Sequence, residues 1–130
     1  MNASYLLGTG RTRGRIIRIG AHVSTAGGLQ KAVDRAVDVG AEAVQLFCSS
    51  PQGWAFKPIP EEQTTGFREK AEAAGLSPAF LHGIYLINLG TEIPENLRKG
   101  IDSLKNYLDV ARAIGALGVI FHGGSHKGAG

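Results

Sequence analysis

A single cysteine, Cys48, stands among 130 residues, which excludes an internal disulfide and fits a reducing compartment. Carboxylates run out early: no aspartate or glutamate follows Asp109. Long apolar runs are missing too. Near the N-terminus the longest is Tyr5, Leu6 and Leu7, far short of a signal-peptide core or a membrane span, so a soluble, cytoplasmic protein is expected. Nor is there a charge excess outside one short arm. The net charge is +3, and Arg11, Arg13, Arg15 and Arg18 account for it; the remaining 10 basic residues face 11 acidic ones. Bulk charge therefore gives little reason to expect a polyanion partner. Hydrophobic residues at 43% and charged ones at 19% are ordinary for a globular chain, and the length suits one domain with a real core. Glycine, with 19 copies, is what the chain has in excess.

The glycines punctuate a recurring unit: an amphipathic stretch, a glycine, a few small or polar residues, then a short apolar run. Three copies read Gly40-Ala-Glu-Ala-Val-Gln-Leu-Phe47, Gly75-Leu-Ser-Pro-Ala-Phe-Leu-His82 and Gly115-Ala-Leu-Gly-Val-Ile-Phe-His122, spaced 35 and 40 residues apart. Glycine just past a helix end supplies the left-handed cap that a Cβ disfavours. The stretches before these glycines have helical spacing: Leu29, Ala32, Val33, Ala36 and Val37 in one, Leu97, Ile101, Leu104 and Leu108 in another. Between them a weaker helix, 61–74, has Phe67, Ala71 and Ala74 as its apolar face and Glu61 and Glu62 at its start, where the helix dipole favours them. The apolar runs are uninterrupted, as expected of parallel strands covered on both faces. The expected order is β1 (16–21), α1, β2 (44–47), α2 (61–74), β3 (79–82), α3 and β4 (119–122). Successive βα units imply an α/β fold with a parallel sheet, either doubly wound or a barrel. Residues 1–14 read as a flexible arm ahead of one domain over 15–130. Their Gly8-Thr-Gly10-Arg-Thr-Arg-Gly14 precedes a strand instead of following one, so it is no phosphate loop.

Parallel α/β folds assemble their sites at the carboxyl ends of strands, and the four histidines all fall there. His22 lies just beyond β1, His82 ends β3, His122 ends β4 and His126 follows in Gly123-Gly-Ser-His126. A lone histidine beside an apolar strand is more often a satisfied core residue than a ligand. His82 and His122, however, follow equivalent strands, so their imidazoles could share a metal, and zinc accepts neutral imidazole nitrogen. A third ligand is missing. The acids lie on helices, at helix starts or between helix and strand, never at a strand's carboxyl end. No general base stands ready, and no Ser-His-Asp or Cys-His arrangement occurs, so the chain presents part of a site. In the loop after β2, Cys48-Ser-Ser-Pro-Gln52-Gly-Trp54, Trp54 reads first as a lid on the core and second as a ligand contact. After β3, Tyr85-Leu-Ile-Asn88-Leu-Gly90 is unusually apolar for a loop, and Tyr85 either plugs the sheet end or offers its ring to a substrate. Gly123 and Gly124 could expose N–H groups to a phosphate, but glycine pairs are common in turns. Cys48 reads as a small buried thiol.

Taken together, Gly20-Ala-His22-Val-Ser-Thr-Ala-Gly-Gly28, Gln45-Leu-Phe-Cys-Ser-Ser-Pro-Gln-Gly-Trp54, His82-Gly-Ile-Tyr85-Leu-Ile-Asn88-Leu-Gly90 and Phe121-His122-Gly-Gly-Ser-His126 resemble the N-terminal half of endonuclease IV, the zinc-dependent apurinic/apyrimidinic endonuclease family. The resemblance runs from about Ile19 to the C-terminus. It implies the N-terminal half of a TIM (β/α)8 barrel, four of its strands, and a DNA-repair enzyme that hydrolyses the phosphodiester 5′ to abasic sites in double-stranded DNA. It implies that His82 and His122 are two ligands of one zinc in a trinuclear cluster. It places Tyr85 near the extruded abasic nucleotide, Gln52 in the loop that fills the gap in the duplex, and His22 along the same DNA groove. Two departures stand out: Gly83 and Ile84 replace a common polar pair, and Gly123 replaces the usual proline. The family's remaining ligands, including a bridging glutamate, lie beyond Gly130, and a whole barrel takes about 250 residues and eight strands.

The leading expectation is thus a fragment of such an endonuclease, inactive alone, with an incomplete zinc site and open barrel edges that favour self-association. The alternatives are a non-enzymatic half-barrel binding module and the half barrel of a sugar-phosphate isomerase-like enzyme.

Overall fold

A computed structural model describes residues 17–128; the arm expected over 1–14 lies outside them. The elements in chain order are β1 Gly20–His22, α1 Leu29–Asp38, β2 Ala43–Leu46, α2 Glu61–Ala73, β3 Ala79–His82, α3 Pro94–Ile114 and β4 Gly118–Ile120. Each helix ends where the repeated glycine turns left: Gly40, Gly75 and Gly115 have φ of 71°, 66° and 72°. β1 begins only at Gly20, with residues 17–19 outside the strand, against an expected start at 16; the other strand ends differ from expectation by at most two residues. His22 is the last residue of β1 instead of lying beyond it, and His122 lies past β4 instead of ending it. The β3–β4 ladder ends at the pair His82–Ile120, where β3 itself ends.

Among the described residues the strands form one parallel sheet in the order β1-β2-β3-β4, each paired to the next in sequence. A doubly wound sheet reverses direction at a switch point; here every crossover steps the same way. That is the wall of a barrel, and the chain is the N-terminal half of one. The helices pack on one another in sequence, α1 on α2 and α2 on α3, and a Lys70–Asp34 ion pair of 2.6 Å bridges the first two.

Within the described residues the burial pattern alternates along β2 and β3. Val44, Leu46, Ala79 and Leu81 face the helices and are buried. The opposite rows carry His22 beside Gln45 and Phe80, then His82 beside Ile120. Side chains of period two thus divide the sheet into a face packed on the helices and a face turned away from them, on which His22 and His82 stand at the carboxyl end.

Tyr107, Phe67, Leu46, Leu81, Val33 and Val44 are the largest fully buried side chains, each worth roughly 1.5–3 kcal/mol when removed from water. The buried stripe of α1 matches expectation except that Val37 is exposed. On α2 the buried residues are Thr64, Phe67 and Ala71, while Ala74 becomes the exposed C-cap. The face of α3 is corrected: Gly100, Ser103, Tyr107, Val110, Ala111 and Ile114 are buried, whereas Ile101 and Leu108 are exposed. A Cβ on Gly100 would sit at an ordinary 3.9 Å from both Ile87 and Leu89, so the loop after β3 lies against this helix. Trp54 packs against the core from its loop, as a lid does. Among the described residues no helix is long and apolar enough to cross a membrane.

Candidate functional site

At the carboxyl end of the sheet, aromatic rings converge. His82 meets His122 with ring centroids 5.3 Å apart and His22 at 6.3 Å. Phe47, just past β2, sits among them: 4.7 Å from His22, 5.3 Å from His82 and 5.5 Å from Tyr85. Tyr85 also stands 5.9 Å from His82, edge-on in the manner aromatic rings favour, yet stays 56% exposed. It does not plug the sheet end; its ring borders the open face.

Hydrogen bonds assign different tasks to the imidazoles. His82 Nδ1 lies 2.7 Å from the Gly83 carbonyl oxygen, which can only accept, so Nδ1 carries the proton and the neutral ring keeps its lone pair on Nε2. This is the arrangement by which a backbone carbonyl orients a metal-binding histidine. The contact uses the main chain of Gly83, so the departure from the polar pair at Gly83 and Ile84 leaves it intact. His22 is set the other way. The Gln45 amide nitrogen donates to His22 Nδ1 at 2.8 Å, leaving Nε2 as the donor when the ring is neutral. Burial of the ring against Phe47, and after it the charge of His82, hold His22 below the ordinary imidazole pKa.

The loops that carry these groups are stitched together. Thr25 donates its hydroxyl to the Phe47 carbonyl at 3.1 Å, and the Tyr85 N–H donates to the Pro51 carbonyl at 2.8 Å. Gln52, next to Pro51, is exposed on that turn, outside the ring cluster but fixed to the Tyr85 loop through its neighbour. Below the turn, Ser49 Oγ and the Tyr107 hydroxyl are 3.0 Å apart. Burial pushes the Cys48 thiol up to about 12, against a partial pull from Tyr107. The thiol is partly buried against the core. A cleft of about 610 Å³ opens between the β1 and β2 loops, lined by His22, Thr25, Phe47 and Ser49 among others. His126 Nδ1 accepts the Gly128 N–H at 3.1 Å within its own loop.

The structure therefore brings His22, His82, His122 and Tyr85 together and places Gln52 at the rim. It adds two residues that sequence reasoning missed, Gln45 and Phe47. Gln45 had a signal: it is the polar residue inside an otherwise apolar strand, on the same side as the histidines. Among the described residues no three His, Cys, Asp or Glu side chains converge as a metal cage. Two imidazoles, one with its free nitrogen fixed by a carbonyl, fit a shared zinc in part.

A half barrel with helices outside and imidazoles at the carboxyl end of its strands belongs to the (β/α)8 class. Residues 33–130 match the model of the xylose isomerase-like TIM barrel family, and the chain belongs to it. Within that family its likeness is to endonuclease IV. The probable endonuclease 4 of Streptomyces coelicolor is 44% identical over 111 residues, covering 85% of this chain and 37% of that protein. The one from Halothermothrix orenii is 37% identical, covering 88% of this chain and 41% of that protein. The crystal structure of endonuclease IV from Thermus thermophilus superposes with a TM-score of 0.80 at 38% identity, over 84% of this chain and 41% of that one. A D-allulose 3-epimerase from Methylomonas sp., at 18% identity and TM-score 0.53, shares the fold alone. The chain thus spans about two fifths of the relatives it matches.

Proposed function

We propose that this chain carries the first part of a zinc-dependent DNA-repair endonuclease site, acting in the cytoplasm on the phosphodiester 5′ to abasic sites in double-stranded DNA. The observation that supports this reading most is the His82–His122 pair, with the His82 lone pair turned to Nε2 by the Gly83 carbonyl. Zinc, when bound, polarises a phosphate oxygen and makes hydroxide available near neutral pH; His82 and His122 would hold one such ion. The chain's own groups do the rest at this end of the sheet. Tyr85 offers an exposed ring against which a displaced sugar can lie, Gln52 reaches from the rim toward a duplex, and His22 Nε2–H faces the groove as a donor. Two imidazoles leave most of a zinc coordination sphere to water, so binding is weak and the 130-residue chain alone does not cut.

The test pairs the chain with the C-terminal half of a related endonuclease. The mixture should incise a duplex bearing one abasic site, and the same mixture with His82→Ala and His122→Ala should not. The isolated chain should give no incision with zinc present and should bind zinc weakly, with that binding abolished in the double variant. Undiminished zinc uptake by the double variant, or metal-dependent incision by the chain alone, contradicts the assignment.

A further inference from the structure

His82 is held by its strand, but His122 is not. It lies two residues past β4 and is exposed, so its position depends on the loop that follows. That loop is fastened by one side chain from the neighbouring loop. Asn88 Oδ1 accepts the Ser125 N–H at 2.9 Å and the Gly90 N–H at 3.0 Å, while Asn88 Nδ2 donates to the Ser125 carbonyl at 3.0 Å. The Leu89 N–H adds a bond to the Gly123 carbonyl at 3.0 Å. The amide takes two N–H bonds on its oxygen while donating from its nitrogen, which an ionised carboxylate of the same size cannot do. The fit around it is close. Gly124 has φ of +94°, and a Cβ there would run into the Asn88 side chain; a Cβ on Gly90 would lie 3.0 Å from the His126 nitrogen.

We propose that Asn88 is the positioning residue of the imidazole pair: by clamping the segment after His122 to the loop that carries Tyr85, it holds the His122 ring against His82 at the spacing a shared metal needs. The inference rests on reading that pair as a zinc site, and Asn88 itself touches no metal. Groups bonded directly to metal ligands change affinity when removed although they never contact the ion; Asn88 acts one step further out, through the backbone three residues after His122.

The test uses the whole chain in two measurements. In metal-free protein with labelled histidine, the ring-to-ring NOE between His82 and His122 should be present, and Asn88→Ala should abolish it and shift the His122 ring resonances, while the amide signals of Val33 and Phe67 stay in place. In competition with a chromophoric chelator, the same variant should bind zinc about tenfold more weakly. Asn88→Asp keeps the acceptor oxygen and loses the donor, so it should move both readouts in the same direction by less; it carries the test where Asn88→Ala does not fold. A folded variant that retains the NOE overturns the proposal, and so does unfolding of both variants, which would make Asn88 a folding residue. Loss of the NOE in a protein whose wild type binds no zinc through these histidines supports the positioning and refutes the metal reading instead.

Discussion

His22 and His82 project from the same sheet face, yet a glutamine amide on one and a backbone carbonyl on the other give their rings opposite tautomers. The consequence for His22 is a pH dependence. Its folded pKa lies below the ordinary imidazole value, through burial first and the His82 charge second, so between the two values the unfolded chain binds more protons than the folded one. Stability then rises with pH through that window and is lost as pH falls from about 6.5 toward the lower folded value. Protonated Nδ1 also cannot accept the Gln45 amide. Urea denaturation at pH 7.5 and 5.5 should show wild type losing more stability on acidification than His22→Asn. Equal losses in the two proteins would remove His22 from the account. Although His122 proves to lie two residues past its strand, that His82 and His122 fall near one end of the sheet was legible in the sequence because each follows a similar apolar run. The bonds to Gln45 and Asn88 were not, since they depend on which loops meet in space.

At the scale of elements, glycines carry much of the punctuation. Gly115 caps α3 with φ of 72°, and a Cβ there would meet Arg68 at an ordinary 3.7 Å. The penalty for alanine is therefore conformational, roughly 1–2 kcal/mol. Gly115→Ala should lower the thermal midpoint by several degrees, whereas Gly118→Ala, with open space around the added methyl and no positive φ, should shift it less; calorimetry of both checks this. These caps were readable because a left-handed residue is a local demand that one amino acid meets. The face of α3 was misread for the opposite reason. Apolar spacing selects Ile101 and Leu108, but the helix buries the small residues Gly100 and Ser103, and Leu108 remains 55% exposed. Smallness is invisible to a count of hydrophobic residues.

For the whole molecule, the decisive feature is the sheet's two margins. Among the described residues β1 and β4 each pair on one side only, and apolar side chains flank both: Ile17 is 80% exposed and Ile19 74% beside β1, Leu117 74% beside β4. Unpaired strand edges with apolar neighbours recruit further strands. The purified chain is expected to self-associate as its concentration rises, and Leu117→Lys to weaken that association. Sedimentation velocity across a concentration series decides it: a monomer throughout the micromolar range would contradict the expectation. The alternating rows of the sheet have a further consequence, for the kinds of sequence change this chain can absorb. Leu81 and His82 are neighbours in sequence and face opposite ways, so removing one residue within β3 would exchange them, turning an imidazole toward the helices and a leucine toward the groove. The strands behave as a reading frame of two: pairs of residues can be gained or lost with the pattern kept, single ones cannot. Loops carry no such parity, although 48–54 is tied down by its own bonds to Tyr85 and Tyr107.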